Sequence, residues 1–174
     1  MVQDLAARTL LVILVAAVVQ DFMYMKISNR LILMGILFSL AFGFMTGGLR
    51  QVLYVLVNIS FPVFVLYLFY LLGVLGAGDI KLFSIIGGFT NFKLLTGCMF
   101  YSFVAAAVIA VGKMLYNRNL RISVFKAGIF FRSIPREGLV SYHKEWAERR
   151  NLMHFSVPIL IGYMVAVLHW KLYR

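Results

Sequence analysis

Acidic residues are scarce in this chain. Asp4, Asp21, Asp79, Glu137, Glu145 and Glu148 are the six acids among 174 residues. Any chemistry that runs on carboxylates must draw on that short set. Cysteine is scarcer still. Cys98 stands alone inside an apolar run, which excludes a disulfide framework and a multi-cysteine zinc site and leaves a small buried hydrophobe. Charge of either sign is low. Only 13% of residues are charged, 63% are hydrophobic, and the mean hydropathy is +0.93, whereas soluble domains carry roughly 25% charge. A water-soluble domain with one internal core is excluded. So is disorder, which needs low hydrophobicity and high charge. Zinc-protease, nucleophile-elbow and P-loop patterns are also missing.

What is present is apolar and comes in runs. A spanning helix takes about 20 mostly apolar residues. Six stretches stand out: 5–25, 31–46, 52–75, 80–92, 94–116 and 155–172. The predicted fold class is therefore all-α, a polytopic membrane protein of about six transmembrane helices, with residues 1–174 as one embedded domain. The first stretch has no small-residue cleavage site after it and reads as a retained span. Residues 26–30 form a polar turn, Gly47-Gly48 stops the second stretch, and Pro62 predicts a kink in the third. The fourth is short. Thirteen residues reach about 20 Å against a hydrocarbon core of about 30 Å, so it reads as a short span or a re-entrant piece.

Seventeen Lys and Arg give a formal net charge of +11. In a membrane protein this points to cytoplasmic loops and anionic headgroups, with the lipid bilayer as partner and no nucleic acid. With six spans, twelve of the seventeen basic residues fall on one side and the N-terminus lies outside. With five, eleven share a side and the N-terminus lies inside. In either case two stretches separate Asp21 from Asp79, so the two acids share a membrane face. Residues 117–154 form a basic cytoplasmic or interfacial loop. Residues 122–134 fit an amphipathic surface helix ended by Pro135, and 139–151 a second one with Trp146 at headgroup level.

Asp21 and Asp79 carry the most information. A carboxylate in a membrane segment costs a few kcal/mol or more and usually faces a cavity with work to do. Two carboxyls brought close cannot both ionise easily, which yields a neutral acid beside a charged base. Such a pair can activate water against a peptide carbonyl without metal or cofactor. The competing reading is two solvated edge acids paired with Lys26 and Lys81, which either tune the aspartates or mark the membrane surface. Gly76 and Gly78 precede Asp79; glycine permits unusual backbone angles and close approach of a substrate backbone. His143, Glu145 and Glu148 read as a solvated helix face, and His154 and His169 as interfacial histidines.

Gly76 to Leu82 reads GAGDIKL, and FSIIGG follows to Gly88. Asp21 to Asn29 reads DFMYMKISN, and His154 to Gly162 reads HFSVPILIG. In these segments the chain resembles the type IV prepilin peptidases, the GxGD-type aspartic membrane peptidases. Ser28 stands where that family usually has proline. The resemblance implies an endopeptidase of the inner membrane. It would remove the short basic leader of a prepilin or pseudopilin at the cytoplasmic face, after a glycine. Asp21 and Asp79 would be catalytic, and Gly76, Gly78, Lys81, Lys26, Asn29 and Pro158 would shape the site. It also implies six spans and, with one cysteine and a start directly in a span, a peptidase-only form without methylation. Two other classes stand beside it. One is a small transporter or channel subunit using Asp21 and Asp79 as ion or proton sites, against which the absence of a mirrored second half counts. The other is a non-catalytic assembly scaffold. Prepilin leaders are themselves basic, so a +11 chain attracts them poorly and its loops serve orientation. Neutralising Lys144, Arg149 and Arg150 together is expected to disturb topology, read by substituted-cysteine accessibility, more than leader cleavage.

Overall fold

The computed structural model describes residues 2–72, 75–116 and 155–172. Among these residues every regular element is a helix. They are α1 (Val2–Tyr24), α2 (Asn29–Leu71), α3 (Ala77–Phe89), α4 (Phe92–Tyr116) and α5 (Ser156–Leu172). Three stretches are long and apolar enough to cross a membrane: Leu5–Tyr24, Asn29–Leu71 and Phe92–Lys113. The chain divides into two units, residues 1–104 with 154–174, and residues 105–153. The helices around the two aspartates belong to the first. The predicted loop 117–154 lies outside the described residues.

α2 holds the second and third predicted stretches in one element of 43 residues. Its backbone leaves the helical region at Gly47 and at Gly48, where φ is 60° and ψ is −149°. Only glycine occupies that region comfortably. The chain folds back there. A side-chain carbon added at Gly43 would lie 3.0 Å from Val55 Cγ2, although in an unbroken helix the two residues would be about 18 Å apart. The two arms, 29–46 and 49–71, reach about 27 Å and 35 Å, each near one bilayer thickness. The predicted Pro62 kink is not where α2 breaks. The backbone stays helical through Pro62, and the missing N–H is absorbed by packing.

α3 occupies the centre. Ile80 and every residue from Leu82 to Gly88 are buried. Each neighbour turns one stripe toward this core at helical spacing: Leu10, Leu14 and Ala17 on α1; Ile32, Gly35, Ser39 and Gly43 on the first arm; Val55, Asn58, Pro62 and Leu66 on the second; Ile159, Gly162, Tyr163 and Ala166 on α5. α4 supplies Leu95, Cys98, Met99 and Ser102. The fourth predicted stretch is thus a protein-covered helix, and its length need not match the lipid.

The free backbone groups at its C-terminal end are met by protein groups. Thr90 N–H and Thr90 Oγ1 both donate to the Ile86 carbonyl, at 3.0 and 2.7 Å. Asn58 Nδ2 donates to the Thr90 carbonyl at 3.1 Å. Pro62 has no N–H for the Asn58 carbonyl four residues earlier. That freed carbonyl lies directly against Gly87, where no Cβ fits. Gly87→Ala is therefore expected to cost about 1–3 kcal/mol through overpacking against backbone. Gly97→Ala, with open space around it, should be neutral or stabilising by up to about 1 kcal/mol. Thermal unfolding of the two variants in detergent checks the contrast.

Candidate active site

Asp21 lies in the last turn of α1 and Asp79 in the first turn of α3. The GAGD segment is not a loop ahead of the fourth helix, as its sequence suggested. Ala77, Gly78 and Asp79 are already helical, and Gly76 is the N-cap. Glycine has no side chain to cap with. Asp79 supplies one by folding back, its Oδ2 accepting the Gly76 N–H at 3.1 Å, half of a capping box. Gly76 has φ −77° and ψ 151°, ordinary extended backbone, so the expected special angles are not what it provides. It provides room. A Cβ there would lie 3.1 Å from Asp79 Oδ2, and one at Gly78 would lie 3.3 Å from Ile27 Cδ1. The protein's own groups use the space reserved in the sequence reading for a substrate backbone.

The turn after α1 is built to bring Asp21 to this place. Met25 N–H bonds the Asp21 carbonyl at 2.9 Å, and Met25 adopts a left-handed φ of 50°, the conformation that commonly ends helices. Ser28 then caps α2, its Oγ accepting the Arg30 N–H at 3.3 Å. Its own N–H donates to Gln20 Oε1 at 3.0 Å. Ser28 has φ −64°, an angle proline would also take. The departure from the family's proline keeps the backbone shape and adds two hydrogen bonds that proline cannot make.

α5 completes the site. Ser156, buried at its start, donates its hydroxyl to Asp21 Oδ2 at 2.5 Å. α1, α3 and α5 pack on one another, which puts the last turn of α1 and the first turns of α3 and α5 at the same end. Three helix N-termini, those of α2, α3 and α5, gather at this end, and such ends favour negative charge by roughly 0.3–1 kcal/mol each. Lys81, exposed, donates from Nζ to Asn29 Oδ1 at 2.9 Å, tying the start of α3 to the start of α2. Lys26 is exposed on the turn. Pro158 is buried in the first turn of α5, where its missing N–H costs nothing. Among the described residues no three His, Cys, Asp or Glu side chains gather as a metal site would need.

Sequence reading missed Gln20 and Ser156. Both carried a faint signal. Gln20 is the one uncharged polar residue between Leu10 and Asp21, and Ser156 the one hydroxyl between Phe155 and Gly162.

Fold and site together define a helical membrane protein that gathers two carboxyls at one end of a buried helix. The chain belongs to the type IV leader peptidase family, whose sequence model matches residues 9–111. The match includes Asp21, the α1–α2 turn and the whole GAGDIKL segment, and ends before α5. No curated protein and no solved structure matches the chain significantly. Ser28→Ala is expected to lower stability by about 1 kcal/mol through loss of the α2 cap, read as a reduced melting temperature in detergent.

Proposed function

We propose that this peptidase is an aspartic endopeptidase that removes the short leader of type IV prepilins or prepilin-like proteins at the cytoplasmic membrane face. What supports the reading is that Asp21 and Asp79, on two separate helices that pack on each other, lie at the same end of the bundle. Family membership supports leader cleavage. The twelve basic residues that six spans would place on the side of the aspartates support a cytoplasmic site.

The chemistry follows from one proton shared between two carboxyls. A water molecule held between them attacks the scissile carbonyl carbon as the ionised aspartate takes its proton. The protonated aspartate donates to the carbonyl oxygen, giving a neutral gem-diol. The first aspartate then passes its proton to the amide nitrogen, the C–N bond breaks, and the second aspartate recovers its proton as the carbonyl reforms. The dyad ends as it began, with no metal and no covalent intermediate. The apolar helix that follows a leader would lie against the spans, which leaves the cleavage point at membrane-surface level beside Gly76 and Asp79.

Asp21→Asn and Asp79→Asn each retain shape and remove a titratable group. Either is expected to reduce cleavage of a co-expressed prepilin by at least about a hundredfold while the protein remains inserted at wild-type level. An immunoblot separating precursor from mature pilin reads the outcome. Normal processing by either variant would sink the proposal.

A further inference from the structure

We propose that Ser156 is the positioning residue that makes Asp21 the water-activating base of the pair; the inference rests on the peptidase reading above. The two carboxyls are held differently. Asp21 Oδ2 accepts a side-chain hydroxyl, that of Ser156, from another helix at 2.5 Å. Asp79 Oδ2 accepts only a backbone N–H of its own helix start among the bonds described, at 3.1 Å. Asp79 sits at the N-terminus of α3, whereas Asp21 lies in the last turn of α1, where the helix end disfavours negative charge. The Ser156 hydroxyl at the start of α5 is the group that offsets this at Asp21.

Ser156 has no other evident reason to be polar. It is buried in a segment whose neighbours are Phe155, Val157, Pro158 and Ile159. A buried hydroxyl without a partner would cost stability, and its partner here is the carboxylate. Pro158 fixes the backbone two residues on and so holds the start of α5 in helical form. Among the described residues, the charged and titratable groups on the elements packed around Asp21 at this end are few. They are Asp79 and Lys81 on α3, Lys26 and Tyr24 beside the α1–α2 turn, Arg30 at the start of α2, and Tyr67 and Tyr70 near its end. Lys81 is engaged by Asn29. Phe155 to Pro158 carry no titratable group, and Ser156 reaches Asp21 with its hydroxyl.

In the reaction this fixes which proton moves where. Asp21, ionised and held in one rotamer, takes the proton of the attacking water. Asp79 keeps its proton and gives it to the carbonyl oxygen. Ser156 exchanges no proton and touches no substrate atom.

The test is the pH profile of leader cleavage by the purified full-length chain in proteoliposomes, with a prepilin as substrate. Ser156→Ala removes a donor whose bond favours the charged form of its carboxyl partner. The expected result is slower cleavage with the acid limb moved upward by about one pH unit and the alkaline limb unmoved. Ser156→Thr, which keeps the hydroxyl, should restore the wild-type limb. Ser156→Cys, a much weaker donor, gives the same readout if the alanine variant does not insert. A moved alkaline limb would make Asp79 the base and overturn the assignment. So would an unchanged profile. In both cases inactive Asp21→Asn and Asp79→Asn variants would leave the peptidase reading standing; active ones would remove it together with this inference.

Discussion

A short helix packed among other helices leaves free backbone groups at both its ends, and here neighbouring protein groups complete them. That constraint organises the rest of this protein. At the C-terminal end of α3, Asn58 and Thr90 take up the free backbone groups. At its N-terminal end the cap is Asp79 itself. The residue that the functional reading requires is thus also the one that finishes the helix. Gly76 is small because the carboxyl returns over it, and Gly78 is small because the α1–α2 turn closes on it at Ile27. The motif reads first as a solution to packing and capping, and the chemistry uses the geometry that results.

Much of the helical layout was legible in the sequence, because the bilayer forces a simple code. Runs of about 20 apolar residues announce helices whatever they pack against, and all six stretches appear as helical segments. Hydropathy could not say which face of each helix turns inward, since the lipid side is apolar too. The inward stripes are marked instead by small and weakly polar residues. Gly35, Ser39 and Gly43 lie on one arm, Asn58 on the other, Ser102 on α4, and Gly162 and Ala166 on α5. Close helix approach in membranes selects such residues. One boundary lies elsewhere than the glycines suggest: Gly76 caps a helix that begins at once. At Pro62 a neighbouring glycine makes room for the freed carbonyl.

The candidate site was legible to the extent that it depends on rare residues. With six acids in the chain, two at membrane-edge positions stood out without any structure. Ser156 was not legible, because a lone serine in an apolar segment has no spacing to mark it. Only its position across from Asp21 gives it meaning. Ser28 shows the reverse case. It stands where the family usually has proline, yet it keeps an angle proline would take, and its N–H, absent from proline, holds Gln20.

The hairpin at Gly47–Gly48 separates two kinds of length change. The chain between the aspartates runs the height of the bundle and returns, so its tip is the point farthest from both. Residues added at the tip would extend the turn and leave the register of Asp21 and Asp79 untouched. One residue added inside either arm would rotate everything beyond it by about 100° and carry Ser39 or Asn58 off the α3 face. The spacing between the two aspartates is therefore free at one point along the chain and fixed along the arms on either side of it.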